Sequence, residues 1–286
     1  MKQIIIRAYA KINIGLNIVR KRRDGYHDID TIMQTISLAD EVFLEKKPGI
    51  SISCTDPTIP TDNTNTAYKA ALSYFNKAGI DYSKTGVSIL IKKKIPSKAG
   101  LGGGSSDAAA VLKGLNHYYG TNYGPTIMRE LALDIGSDVP FFIEGGTMRA
   151  LGRGEKLTSI NSFNGFDLVI VMPDETVSTA YAYSMYSSNA AVTHPDMDII
   201  ENAVNEKNTA KLMKFLGNTF EGLVFPSKPT IKKARHDILK TGAIAASMTG
   251  SGAAVYGIYK STEDAQSAFS VLGHHYDAYM AKTIGG

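Results

Sequence analysis

The densest chemistry in the sequence lies at residues 95–112, IPSKAGLGGGSSDAAAVL. Gly100, Gly102, Gly103 and Gly104 lose more backbone freedom on folding than other residues would, which points to φ > 0 or to close approach of backbone to a large group. Behind them Ser105 or Ser106 can cap a helix and Asp107 falls in its first turn. Ala108, Val111, Leu112 and Leu115 then recur at helical spacing up to Gly120. A glycine-rich loop feeding a helix presents bare N–H groups at the positive end of the helix dipole, a site for anions and above all phosphate. No Gly-Lys-Ser/Thr closes the run, so it is not a Walker A loop. The dinucleotide pattern G-x-G-x-x-G also fails, because Ser105 or Asp107 stands where its last glycine is required.

Phosphate chemistry needs partners. Asp138 stands between Gly136, an expected helix end, and Val139-Pro140, which cannot continue a helix; it is a turn former or a placed carboxylate. Lys11 interrupts the strand pattern AYAKINIGLNI, where alternation alone turns a side chain outward half the time. Residues 20–27, RKRRDGYH, set four cations before an Asp-Gly turn. That run reads as a solvated hairpin tip or a nucleic-acid contact, and Tyr26 and His27 add a flat face and a hydrogen-bonding ring. TGSGAAVYG, residues 249–257, is a second glycine-serine turn, read alone as a hairpin turn or bulge.

The elements that must hold these groups are strands first, helices later. Alternation marks strands near residues 3–8, 13–19, 42–45, 50–53 and 87–93, with helices near 65–77, 106–119 and 126–133. Residues 145–157 read as a hairpin or crossing connection. A second set follows: a strand at 166–172, helices near 199–205, 209–217 and 230–240, a strand at 253–259, a helix at 263–272 and a terminal strand. With 286 residues, 43% hydrophobic and 20% charged, the chain suits two ordinary globular domains. Apolar runs such as Val169–Met172 are too short to span a bilayer, and Arg7 and Lys11 break any apolar signal region, so the cytoplasm is expected. Cys54 is alone, and the histidines show no zinc spacing. A net charge of +4 favours anionic ligands weakly and is not that of a dedicated nucleic-acid binder.

Three segments gain specificity together. Ala10-Lys11-Ile12-Asn13, the P-x-x-x-G-L-G-G-G-S-S-x-A-A loop and T-G-S-G-A-A-V, in that order, resemble the GHMP kinases, a superfamily of small-molecule kinases. Asp24-Gly25-Tyr26-His27 and Ser137-Asp138-Val139-Pro140-Phe141-Phe142 resemble most the branch acting on 4-diphosphocytidyl-2-C-methyl-D-erythritol in the non-mevalonate isoprenoid pathway. The resemblance spans nearly the whole chain. It implies an α+β, two-domain fold: residues 1–158 like the second domain of ribosomal protein S5, and 159–286 ferredoxin-like. It implies ATP and Mg²⁺, transfer to the 2-hydroxyl of the substrate, and a monomer or homodimer without nucleic-acid or membrane partners.

Residue by residue, the resemblance implies that Pro96, Ser97, Lys98, Ala99, Gly100, Leu101, Gly102, Gly103, Gly104, Ser105 and Ser106 wrap the ATP phosphates. Ser105 or Ser106 would touch magnesium. Asn65 falls where the family contacts adenine, and equally reads as a helix cap. Asp138 would orient or deprotonate the acceptor hydroxyl, with Lys11 holding it ionised. Tyr26 and His27 would meet cytosine, Tyr183 would close its other face, and Thr179 and Asn13 would lie near the erythritol or its phosphates. Lys98 stands where the family more often has glycine, and residues 181–194 depart from its pattern. Homoserine or mevalonate kinases are the alternative, but their substrates offer no base to stack. A non-catalytic RNA-binding protein would need neither Lys11 nor Asp138.

Overall fold

The computed structural model describes residues 3–186 and 192–286. By packing the chain forms two compact units that interleave along the sequence. One takes residues up to 10, 39–97 and 102–144; the other takes 11–38, 98–101 and 145–286. Two long strands, β1 (Ile4–Lys21) and β2 (His27–Lys47), contribute to both.

Both long strands exceed what alternation marks, which is residues 3–8 and 13–19 for β1 and 42–45 for β2. The cause is the same in each. Polar residues that interrupt the alternation are buried and hydrogen-bonded: Asn13 Nδ2 donates to Thr31 Oγ1, Gln34 Nε2 to Thr35 O, and Lys94 N to Asp40 Oδ1.

In the first unit β2 pairs antiparallel with β4 (Gly86–Lys92) from Glu41↔Lys92 to Lys47↔Gly86, and β4 pairs parallel with β3 (Ile50–Cys54). Helices α1 (Thr66–Ala78), α2 (Tyr82–Thr85), α3 (Gly103–Tyr119), α4 (Pro125–Ile135) and α5 (Val139–Glu144) complete it. Gly114 lets α3 lie close on the sheet, because a Cβ there would fall 2.3 Å from Ile6 Cδ1 and 2.4 Å from Leu44 Cδ1.

In the second unit the expected hairpin is present as β5 (Thr147–Gly152) and β6 (Lys156–Ser159), with β5 antiparallel to β2 from Ile29↔Gly152 to Gln34↔Thr147. Beyond it come β7 (Asp167–Met172), α6 (Thr179–Ser184), α7 (Met197–Asn205), α8 (Thr209–Phe215) and β8 (Gly217–Asn218), which pairs parallel with β1. The chain ends with α9 (Thr219–Val224), α10 (Pro229–Lys240), β9 (Ala245–Met248), β10 (Val255–Tyr259), α11 (Thr262–Leu272) and β11 (Asp277–Lys282). The sheet order is β11-β7-β10-β9, antiparallel at every pairing. With α10 leading into β9 and α11 joining β10 to β11, this is the ferredoxin-like βαββαβ arrangement. Ile231, Ala234 and Ile238 of α10 bury against Val169, Val171 and Val255 in one core. Such full burial contributes about 1.5–3 kcal/mol per large aliphatic side chain. Among the described residues no helix is long and apolar enough to cross a membrane.

Candidate active site

In the first unit the start of α3 is the feature that the sequence made prominent. The helix begins at Gly103, ahead of both serines, with Gly102 at φ +74° as its cap and no side-chain capping bond. The expected cap at Ser105 or Ser106 is therefore corrected: the glycine supplies the left-handed turn, and the serines are already helical. The first helical N–H groups have no intrahelical acceptor, so they are available to an anion. Gly104 is exposed and Ser105 half-buried, whereas Ser106 is buried with its hydroxyl donating to Tyr9 O at 2.6 Å. That commits the Ser106 proton to β1 and leaves Ser105 as the more accessible hydroxyl of the pair.

Asn65 caps α1: its Oδ1 accepts from Ala67 N at 2.8 Å and its Nδ2 donates to Pro60 O at 2.6 Å. Ser97 donates to Asp56 Oδ2 at 3.1 Å. Asp138 is half-buried in the turn between α4 and α5. Pro140, expected only to stop a helix, sits instead in the first turn of α5, where its missing N–H costs nothing.

One buried group in this unit escaped the sequence reading. Lys93 Nζ donates to Asp40 Oδ2 and, at 2.9 Å, to Asp107 Oδ2. Burial pushes the Asp107 carboxyl up to about 7; Lys93 opposes the shift and Asp40 adds to it. In the run Lys92-Lys93-Lys94 only the middle side chain turns inward, and strand alternation is the signal that could have found it.

In the second unit the loop segment 98–101 lies against the other glycine-rich turn. Ala254 N donates to Ala99 O at 3.2 Å, and Lys11 N to Leu101 O at 3.0 Å. A Cβ at Gly100 would fall 2.2 Å from Thr249 O, and one at Gly250 would fall 3.0 Å from Gly100 O. Part of the glycine content is therefore explained by contact between the two loops. The turn at Thr249–Gly252 closes with Gly252 N donating to Thr249 O and Thr249 N to Ala254 O, both at 3.0 Å. Lys98 adopts φ +55°, a left-handed conformation that favours glycine.

Lys11 and Asn13 are both buried and lie together, a pairing the sequence did not suggest. Lys11 Nζ donates to Asn13 Oδ1 at 2.6 Å, and Gly250 N donates to the same oxygen at 2.9 Å. Asn13 N donates to Thr249 Oγ1 at 3.1 Å, and Tyr256 OH to Asn13 O at 2.9 Å. Asn13 is thus a hydrogen-bonded node that fixes Lys11, with both side-chain amide atoms engaged.

The expected base-binding residues fall in the same unit. His27 stacks on Tyr183 with ring centroids 4.7 Å apart and 23° between planes, and meets Tyr186 edge-on at 5.6 Å. Its Nε2 is buried and, among the described residues, has no hydrogen-bond partner. Burial, aided by Lys21, lowers the His27 pKa, which keeps the ring neutral with one donor and one acceptor nitrogen. Tyr26 is 56% exposed, with the Arg153 guanidinium 4.9 Å from its ring centroid. Thr179 opens α6, its hydroxyl 3.1 Å from that of Ser251. Two cations of the basic run are paired, Arg20 with Asp28 and Arg22 with Asp24 and Asp28. Residues 187–191 of the segment expected to depart from the family pattern lie outside the described residues. Among the described residues no group of three or more His, Cys, Asp or Glu could hold a metal ion.

Comparison with known proteins matches nearly the whole chain. The family of GHMP kinases N terminal domains matches residues 65–146, and that of GHMP kinases C terminal domains matches 199–278. A 4-diphosphocytidyl-2-C-methyl-D-erythritol kinase from Acetivibrio thermocellus is 40% identical over 99% of this chain and 100% of its own. A protein of the same name from Clostridium tetani is 40% identical over 98% of this chain and 99% of its own. A crystal structure of 4-(cytidine 5'-diphospho)-2C-methyl-D-erythritol kinase superposes with a TM-score of 0.85 at 32% identity, covering 99% of this chain and 100% of that one. Homoserine kinase from Cytophaga hutchinsonii shares the fold at a TM-score of 0.79 and 18% identity, over 100% of this chain and 96% of its own.

Proposed function

The chain belongs to the 4-diphosphocytidyl-2-C-methyl-D-erythritol kinases, a branch of the GHMP kinases, and from that premise we propose that it transfers the γ-phosphoryl group of ATP to the 2-hydroxyl of 4-diphosphocytidyl-2-C-methyl-D-erythritol. The observation that carries the reading is 40% identity with a relative of that name over 99% of the chain. The same proposal places the reaction in the cytoplasm. It takes 1–158 and 159–286 as the two family domains, each containing one of the matched segments.

The residues present suit the two groups the reaction requires. The uncapped start of α3 offers N–H donors to the phosphates of ATP, and at exposed Gly104 a Cβ would meet nothing nearer than Thr66 Oγ1 at 3.4 Å. Magnesium would enter with the nucleotide, held by its phosphates and the Ser105 hydroxyl. Bound there, the ion offsets charge on the group being transferred.

The chain's own groups position and neutralise. Loop N–H groups within residues 97–105 orient the phosphates. Asp138 accepts the proton of the 2-hydroxyl as its oxygen bonds to the γ-phosphorus and the bond to the β-phosphate oxygen breaks, leaving ADP. Lys11, steadied by Asn13 Oδ1, brings positive charge to the anionic reacting groups. The Nε2 of neutral His27, without a partner among the described residues, supports a polar contact with the cytosine edge, and the exposed Tyr26 ring supports stacking on its face. Tyr183, Thr179 and Asn13 complete the acceptor side of the proposal.

The test is a panel of acceptors with ATP and magnesium, products identified by mass. Only the cytidine diphosphate derivative should be phosphorylated at an appreciable rate. Tyr26→Ala should raise the acceptor KM about 5- to 150-fold, the equivalent of losing roughly 1–3 kcal/mol of stacking, with the ATP KM unchanged. His27→Ala should weaken discrimination between cytidine and uridine versions. Equal turnover of methylerythritol lacking the cytidine diphosphate would refute the substrate assignment.

A further inference from the structure

Asn218 closes β8 and caps α9, and it does more than a cap requires. Its Oδ1 accepts from Phe220 N at 2.9 Å, which is the whole of an N-cap's task and one that serine or aspartate performs as well. Its Nδ2 donates to two carbonyls of one turn, Met248 O and Gly250 O, each at 2.8 Å. These carbonyls belong to the peptide groups on either side of the Thr249–Gly250 peptide. With both flanking planes held, the middle N–H has one direction, and it donates to Asn13 Oδ1 at 2.9 Å. Lys11 Nζ donates to that same oxygen at 2.6 Å. Gly250 sits at φ +55°, a region where local preference alone does not fix the turn. Every member from Asn218 through Thr249 to Asn13 and Lys11 is buried, so water does not compete for these bonds.

We infer that Asn218 is a positioning residue for phosphoryl transfer, setting Lys11 through the Thr249–Gly252 turn and Asn13. The inference rests on the reading of Lys11 as a group that serves that reaction. Glu221, three residues on, braces the same strand end: its Oε1 accepts from Met248 N at 2.8 Å and from Ser247 Oγ at 3.0 Å. It thus ties the first turn of α9 to β9 rather than reaching back to the Asn218 N–H as a capping box would.

The experiment compares Asn218→Ser and Asn218→Asp, each of which keeps an oxygen for Phe220 N–H and removes both amide donors. Steady-state kinetics, thermal melts and ¹⁵N NMR of the Gly250 amide and the Lys11 ammonium are measured on the full chain. The expected result is a fall in kcat of about tenfold or more with both KM values within about twofold. The melting temperature should stay within a few degrees, both resonances should move, and the loss should combine less than additively with Lys11→Met. A folded variant with kcat within about twofold of wild type, or full additivity, would overturn the inference; so would failure of both variants to fold, which would make Asn218 a stability residue. Unmoved resonances overturn it whatever the reaction is. A wild-type chain inactive on the cytidine acceptor, with resonances that still move, would refute the proposed substrate and leave the linkage standing.

Discussion

Replacing Asp107 by asparagine should flatten the pH dependence of stability between pH 5 and pH 8. Lys93 is shared by two carboxylates, Asp40 and Asp107, so the buried group carries one negative charge too many when all three are ionised. Asp40 has further donors in Lys94 N and Ile95 N, while Asp107 Oδ1 has no partner among the described residues. The excess proton therefore settles on Asp107, whose carboxyl is pushed up to about 7 from 3.8. An acid with its folded pKa above its unfolded pKa holds its proton more tightly when folded, so its contribution falls as pH rises from 3.8 to 7. From pH 5 to pH 7 that is two units, about 2.7 kcal/mol at 1.36 kcal/mol per unit. Lys93, raised above 10.5, contributes evenly across this window and loses its contribution only at higher pH. Burial lowers the His27 pKa, which gives the opposite slope near its usual 6.5, so the quantity to compare is wild type minus variant. Urea unfolding at several pH values should show that difference falling by about 2–3 kcal/mol between pH 5 and pH 8. Parallel curves would mean that Asp107 is ionised throughout, and the argument from a shared lysine would fail.

Three other changes test the site. Asp138→Asn should lower kcat by about 10²–10⁴ with ATP binding little changed, measured in steady state; near-normal turnover would make Asp138 a turn residue. Gly104→Ala should leave the fold intact, since the nearest atom to the new Cβ is the Thr66 hydroxyl at 3.4 Å, yet raise the ATP KM if phosphate approaches there. It is a cleaner probe than Gly103→Val, whose Cβ would lie 3.1 Å from Ile95 Cγ2 and 3.2 Å from Lys93 Nζ. Lys98→Gly relieves a left-handed lysine and should raise stability by up to about 1 kcal/mol in a thermal melt. A higher ATP KM in the same variant would show that the Lys98 charge serves the phosphates.

The local signals in the sequence were sound where short-range physics decides the outcome. The helix α3, the Asn65 cap and the β5–β6 hairpin rest on period, caps and turns, whereas the short strand β9 is absent from the strands expected and the ferredoxin-like order came only from the family resemblance. The two long strands were not legible because buried polar residues mask their alternation, and nothing local says that Thr31 or Asp40 will find a partner. The serine pair misled for a related reason. Ser-Ser after glycine reads as a cap, but a glycine in the left-handed region turned the chain earlier, and Ser106 was then free to bind the β1 backbone.

The hardest residues to read were those whose partners lie far away in sequence. Asn13 and Thr249 are 236 positions apart, and their bond joins a strand residue that alternation treats as an exception to a turn that reads as an ordinary hairpin. Each segment alone had a bland explanation. Joined, they form a polar node that fixes a lysine inside a hydrophobic sheet, and the cost of burying those groups is offset only because each finds its partner. Asn218 extends the argument. Its Asn-x-x-Glu spacing is a helix-start signal, yet α9 is absent from the helices expected, and that signature is in any case silent about the two carbonyls held by its amide. A capping oxygen is a local requirement that many residues meet, whereas a paired donor aimed at one turn is a tertiary requirement that asparagine meets and serine does not. That difference in chemistry is why Asn218→Ser separates the two roles at a single position.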